Sequence, residues 1–362
     1  MDEKWMQRAL DLAIKGEGTV NPNPLVGAVI VKNEKVIGEG YHKKFGEVHA
    51  EVNAFNSAKE DVTGATMYVT LEPCSHYGKN PPCADLVVKK NIKRVVIGIL
   101  DPNPLVAGRG VKKLRDAGIE VTVGVLEKEC KKINEIFLKY ITTRKPFVLM
   151  KTAMSIDGKI ATFSGESKWI SNEKSRLEVQ KLRNKYAAIM VGINTVIKDD
   201  PKLTCRIENG VNPIRIVVDS ELRIPMESNI VNTAREVKTI IATTSKCNRV
   251  KRDELENKGV EVVIITEIEG KVNLKELIKL LGTKEIDSVL LEGGGTLNFS
   301  ALKEGIVDKV QTFIAPKLIG GENAKTPIEG KGIDKLKEAY ELKDLSVRVI
   351  EGDIIIEGYV KR

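Results

Sequence analysis

Short apolar runs alternate with amphipathic stretches along almost the whole chain, and this alternation limits what the chain can fold into. Runs at 26–31, 66–70, 94–99, 214–219 and 288–291 have the length and β-branched content of strands. Helical stretches separate most of them, so helix and strand alternate almost throughout. The class expected is α/β. At 362 residues the chain is too long for one ordinary domain.

The first half reads as a helix capped by Asp2 and ended by Gly16 and Gly18, then strands at 26–31 and 36–41 around a turn at Lys32-Asn33-Glu34. Helices at 49–59, 83–90 and 111–117 alternate with strands at 66–70, 94–99 and 120–125. One helix is expected over 128–141, and 142–146 is the best linker. The second half restarts with strands at 147–153, 187–192, 214–219, 239–243, 260–265 and 288–291. A helix at 296–303 ends at Gly305, and strands at 309–314 and 347–358 close the chain. Two domains, 1–144 and 146–362, are expected.

The first domain holds a metal-ligand set. His49-Ala50-Glu51 is followed by Pro73-Cys74 and Pro82-Cys83. One imidazole and two thiolates hold zinc in a tetrahedral site with one position left for water. A carboxylate two residues from the histidine can move protons without ligating the metal. This is the H-x-E half of the zinc deaminase signature; the cysteines lie farther apart than its P-C-x-x-C half specifies. All 3 histidines, His42, His49 and His76, lie in the first quarter. In a regular helix Glu51 would face away from His49, so the first turn has to be aimed across the metal.

Composition narrows the setting. The 5 cysteines are widely spaced, unlike a secreted disulfide framework. The N-terminus has neither a basic nor an apolar leader region, and no apolar run reaches membrane-spanning length. A cytoplasmic protein with no membrane partner is expected. The net charge of +8 suits an anionic substrate or nucleic acid. Its basic residues are interspersed with acidic ones, and aromatics make up only 4%, which speaks against a base-stacking surface. Two rival classes share the ligand set: a deaminase of tRNA bases or free nucleosides, and a non-catalytic nucleic-acid module with a structural zinc. The length and second α/β domain oppose the first, and a set of only three clustered ligands opposes the second, unless His76 or His42 is a fourth.

In the second domain Gly293-Gly294-Gly295 joins a strand to a helix. Such a loop can bring backbone N–H groups to a phosphate, or it can simply make a tight turn. It is neither G-x-G-x-x-G nor a P-loop.

With Pro22-Asn23-Pro24-Leu25-Val26-Gly27, the His49 run, Leu71-Glu72-Pro73-Cys74-Ser75-His76-Tyr77-Gly78-Lys79, Pro81-Pro82-Cys83 and Asp101-Pro102-Asn103-Pro104, the first domain resembles the deaminase of bacterial riboflavin biosynthesis. The long cysteine spacing is normal in that family. The second domain looks like its fused reductase partner, through the run from Lys151 to Lys159, Ser167-Lys168-Trp169-Ile170, Gly192 to Thr195, Asp199 to Thr204 with Arg206, and Glu292 to Thr296. The resemblance implies a cytidine-deaminase-like α/β/α domain and a dihydrofolate-reductase-like α/β domain. It implies Zn2+ on His49, Cys74 and Cys83, with Glu51 as the catalytic proton shuttle, and NADPH in the second domain. It places cofactor contacts at Ala153, Trp169, Thr195, Asp199, Ser220, Gly294, Gly295, Thr296, Leu297, Asn298, Phe299 and Ser300. It places substrate contacts at Lys151, Ser167, Arg183, Leu203, Arg206 and Glu292. Asn23, His42, His76 and Lys79 are further candidates for holding a pyrimidine or its phosphate. The substrate implied is a phosphoribosyl pyrimidine that loses an amino group and then has its opened ribose reduced; a homo-oligomer is expected.

Overall fold

The computed structural model describes residues 1–75, 81–103 and 107–361. His76 and Lys79 lie outside the described residues. The chain divides into two compact units, Met1–Arg144 and Lys145–Arg362. Among the described residues, no helix is long and apolar enough to cross a membrane.

The first unit contains α1 (Asp2–Ala13), β1 (Gly27–Lys32), β2 (Lys35–Tyr41), α2 (Ala50–Asn56), β3 (Thr66–Leu71), α3 (Cys83–Lys89), β4 (Arg94–Ile99), α4 (Arg109–Asp116), β5 (Glu120–Val123), α5 (Glu127–Ile133) and α6 (Glu135–Thr143). The strand order is β2-β1-β3-β4-β5. β1 runs antiparallel to β2 and β3, while β3, β4 and β5 are parallel. In β3 and β4 five successive residues are buried, as expected of strands covered on both faces. Met6, Ala9 and Leu10 of α1, Ala54 of α2, Val87 of α3 and Leu114 of α4 join those strands in one core. Gly27 is required by contact: a side chain there would collide with the Ala9 carbonyl of α1, 1.9 Å from its Cβ position.

Two local expectations are corrected. Asp2 does not cap α1 but lies within it; its carboxylate accepts from both Arg94 Nη atoms, at 2.9 and 2.8 Å, and from the Tyr68 hydroxyl at 2.9 Å. The single helix expected over 128–141 is two, α5 and α6, broken at Asn134. The buried Asn134 amide accepts from Leu25 N at 2.8 Å and donates to Leu25 O at 2.9 Å, so this side chain serves a distant loop rather than a straight helix. The linker is also shorter than expected, because α6 continues to Thr143 and Arg144 ends it in the left-handed region.

The second unit contains β6 (Phe147–Ser155), α7 (Glu173–Lys185), β7 (Ala188–Gly192), α8 (Ile193–Asp199), β8 (Ile214–Val218), α9 (Asn229–Asn232), β9 (Thr239–Thr243), α10 (Arg249–Asn257), β10 (Glu261–Ile264), β11 (Glu267–Ile268), β12 (Lys271–Val272), α11 (Leu274–Thr283), β13 (Ser288–Leu291), α12 (Gly295–Lys303), β14 (Lys309–Ala315), β15 (Leu342–Ile350) and β16 (Asp353–Val360). Nine strands run in the order β10-β9-β8-β7-β13-β6-β14-β16-β15. Those from β10 to β14 are parallel, and β16 and β15 return antiparallel. The one strand expected over 347–358 is therefore a hairpin, turned at Glu351 (φ 46°) and Gly352 (φ 93°). Late insertion of β13 between β7 and β6 makes a switch in strand order. In open α/β sheets ligands bind outside the carboxyl ends of strands at such a switch.

Candidate functional sites

In the first unit, β3 ends at Leu71 and delivers Cys74, while α2 and α3 deliver the other two ligand candidates from their starts. His49 is the N-cap of α2, with extended backbone (φ −73°, ψ 168°). It is therefore not on the helical spiral, and the angle that would point Glu51 away from it does not apply. His49 Nδ1 lies 3.6 Å from Cys74 Sγ and 3.4 Å from Cys83 Sγ. The three ligand atoms lie within 4.8 Å of one another, the span of one tetrahedral ion. One nitrogen and two sulfur donors suit zinc, and three protein ligands leave a position open for water.

Glu51 is buried beside the cysteine pair. Burial and then the Cys74 charge push its carboxyl up to about 7, the range of a group that both takes and gives a proton near neutral pH. The Cys83 side chain, with help from His49 and the Cys83 backbone N–H, overcomes burial and holds the Cys74 thiol down at about 4. Cys83 is correspondingly pushed up as the protonated partner. Beside them, His42 is buried, with its ring centroid 5.7 Å from that of His49. Its Nδ1 donates to Val48 O at 3.2 Å and its Nε2 accepts from Asn23 Nδ2 at 3.1 Å, a neutral tautomer matched to a pKa that burial lowers.

Sequence reasoning gave Glu72 no role beyond its motif. Its buried carboxylate accepts from the backbone N–H groups of Asp101 (3.2 Å), Gly108 (3.0 Å) and Val111 (3.0 Å). It thereby ties the start of α4 to the segment that carries Cys74.

In the second unit a cavity of about 560 Å³ opens at the carboxyl ends of β7, β8 and β13. Thr195, Asp199, Ser220, Gly294, Gly295, Thr296, Leu297 and Ser300 line it, as does Ser167. Gly294 is informative. Its φ is −72°, and a Cβ there would meet only Thr195 Oγ1, at 3.9 Å. Neither backbone conformation nor packing requires glycine at 294, so its backbone lies open to the cavity. Gly295 differs: a Cβ there would come within 2.4 Å of Glu329 Cγ.

The remaining cofactor candidates do not line this cavity. Asn298 is buried and pins the loop by donating to Gly293 O (3.2 Å) and Pro327 O (2.8 Å). Phe299 packs under Gly330. Ala153 belongs to a small core with Val179 and Phe313. Trp169 is 60% exposed, with the Arg176 guanidinium 4.7 Å over its ring.

Most of the substrate candidates form a separate charged cluster. Arg183 Nε and Nη2 donate to the two Glu292 oxygens at 3.0 and 3.1 Å, and Nη1 donates to Thr204 O at 3.2 Å. Lys151 Nζ lies 3.9 Å from Glu292, next to it across the β6–β13 register. Burial raises the Glu292 carboxyl, but the charges of Arg183, Lys151 and Arg206 outweigh it and hold the group at about 2. Burial pushes Lys151 down. The buried Leu203 has φ 51°, while Arg206 is exposed, its backbone N–H held by Gln180.

Comparison with known proteins agrees with both units. The cytidine and deoxycytidylate deaminase zinc-binding region matches residues 1–99, and the RibD C-terminal domain matches residues 146–356. The riboflavin biosynthesis protein RibD of Actinobacillus pleuropneumoniae is 52% identical, covering 99% of this chain and 95% of that protein. RibD of Aquifex aeolicus is 45% identical, covering 98% of each. Among solved structures, Acinetobacter baumannii RibD superposes with a TM-score of 0.88 at 39% identity, covering 100% of this chain and 99% of that one. A diaminohydroxyphosphoribosylaminopyrimidine deaminase/5-amino-6-(5-phosphoribosylamino)uracil reductase from Thermotoga maritima gives 0.87 at 39% identity over 99% of both chains. With a thiolate–imidazole cluster in a deaminase fold followed by a reductase fold, and relatives matched end to end, the chain belongs to the RibD family of riboflavin biosynthesis proteins.

Proposed function

We propose that this chain catalyses two successive steps of riboflavin biosynthesis in the cytoplasm: hydrolytic deamination of diaminohydroxyphosphoribosylaminopyrimidine, then reduction of the ribosyl side chain to ribityl. The convergence of His49, Cys74 and Cys83 with the Glu51 carboxyl carries the first step. These three side chains would hold zinc, which when bound would make water nucleophilic at neutral pH. Glu51 takes the proton that water gives up and delivers it to the departing ammonia. Asn23 and His42, fixed to each other, orient the pyrimidine beside them.

The cavity of the second unit would take NADPH, which when bound would supply hydride. The α12 N-terminus and the open face of Gly294 receive its pyrophosphate. Lys151, Arg206 and Ser167 hold the substrate, with Arg183 and Glu292 keeping the charged floor in place. Oligomerisation is part of the reading. The edge strand β15 exposes Leu345, Val347 and Val349, an apolar face that a second copy would cover; light scattering at the mass of a single chain would remove it.

The deciding experiment supplies the diaminopyrimidine ribotide to wild type and to Glu51→Gln. Wild type releases ammonia and, with NADPH present, oxidises it. Glu51→Gln retains stoichiometric zinc and loses ammonia release by ~10²-fold or more. Undiminished ammonia release in that variant excludes Glu51 as the proton shuttle.

A further inference from the structure

The cavity of the second unit is lined by more than the groups already given a role. Lys198, Arg223, Lys271 and Lys325 also face it, together with Glu221 and Glu329. Lys325 is engaged by Glu329 at 3.6 Å, and Lys198 packs against Gly165. Arg223 and Lys271 are both exposed, and among the described residues neither forms an ion pair. Lys198 forms no ion pair among the described residues either, but it belongs to α8, whereas Arg223 and Lys271 come together at the end of β8. Arg223 makes one hydrogen bond, from Nη2 to Asn194 Oδ1 at 3.1 Å, which aims the guanidinium while leaving other donors open.

Their place on the sheet says what they face. The glycine loop and α12 follow β13. β7 lies next to β13, and β8 lies beyond β7. Two strand spacings amount to about 10 Å. A dinucleotide with its pyrophosphate at the α12 N-terminus and its adenosine half directed over β7 therefore brings its ribose to the end of β8. That end is Asp219-Ser220-Glu221-Leu222-Arg223. Lys271 comes to the same place from the β11–β12 ribbon, because Val272 N donates to Ser220 Oγ at 3.2 Å. In dinucleotide folds the group at this position sets the cofactor: a carboxylate accepts from ribose hydroxyls, and an arginine accommodates a 2′-phosphate.

We infer that Arg223, assisted by Lys271, binds the 2′-phosphate of the cofactor and makes the reductase unit choose NADPH over NADH. This rests on the reading that the cavity takes a nicotinamide dinucleotide. A planar guanidinium with free N–H groups matches a phosphate. Glu221 also lines the cavity and opposes the choice, so the preference requires Arg223 and Lys271 to outweigh it.

The test uses the full chain with its deaminated ribosylaminouracil substrate. The quantity read is the ratio of kcat/KM for NADPH to kcat/KM for NADH. Arg223→Ala is expected to lower this ratio about tenfold or more, through the KM for NADPH, with a smaller fall in Lys271→Ala. Titration with 2′,5′-ADP and 5′-AMP reads the same contact without catalysis: wild type holds 2′,5′-ADP more tightly, and Arg223→Ala erases the difference. Equal losses with both cofactors, or equal wild-type affinity for the two nucleotides, would overturn the assignment. A wild-type chain that oxidises neither cofactor and binds neither nucleotide overturns the underlying dinucleotide reading as well.

Discussion

Glu51 and Glu292 are both buried carboxylates, and their neighbours send them in opposite directions. At Glu51 burial, followed by the Cys74 charge, outweighs the opposing pull of His49, so its carboxyl rises to about 7. Glu292 lies between Arg183 and Lys151, so attraction wins and it falls to about 2. The linkage sign follows. A carboxyl depressed from 4.5 in the unfolded chain stabilises the fold above that value, and the contribution is lost as pH falls from 4.5 toward 2. Its full size is about 3 kcal/mol. Urea unfolding of the wild-type chain should therefore show a second-unit stability advantage over Glu292→Gln at pH 6 that shrinks by pH 3. A constant gap across that range would show that Glu292 titrates at its ordinary value. The candidate metal ligands His49, Cys74 and Cys83 were legible at this scale because so few residue types can bind zinc. Arg223 was not, since one arginine in a loop has no spacing or periodicity to mark it.

Elements were legible where the signal is local. The apolar runs of β9 and β13 end where the structure ends them, because a strand reports its burial through its own residues. The break between α5 and α6 was not visible. Asn134 is ordinary within a helical pattern, and what stops the helix is Leu25, whose backbone N–H and C=O both bond the Asn134 side chain. Asn134→Ala leaves those two buried groups without these partners and should cost the first unit about 2 kcal/mol or more in chemical denaturation, with zinc content as the control for an intact metal site. A loss below ~0.5 kcal/mol would mean that Leu25 finds other partners. The hairpin of β15 and β16 was hidden for a related reason: Glu351-Gly352 carries a turn in the middle of what reads as one apolar stretch.

For the whole molecule, each unit has its own sheet, core and candidate site, which makes the two chemistries separable. Zinc removal by a chelator is expected to abolish ammonia release while NADPH oxidation continues on substrate that has already been deaminated. Loss of both together would mean that the reductase unit depends on the metal. Local pattern and residue chemistry were enough to establish the α/β class and to single out His49, Cys74, Cys83 and Glu51 as candidates for a metal site, and resemblance supplied the reaction pair. These depend on side-chain type and on neighbours a few positions away. Strand order does not. Only the folded sheet brings the ends of β7, β8 and β13 to one cavity, packs α1 onto Gly27, and gathers Lys151, Arg183 and Arg206 around Glu292. The cavity and the charged cluster depend on β13 pairing with β6 and β7 across more than a hundred residues, and the free energy that selects the pairing is shared among buried surfaces that no short segment contains.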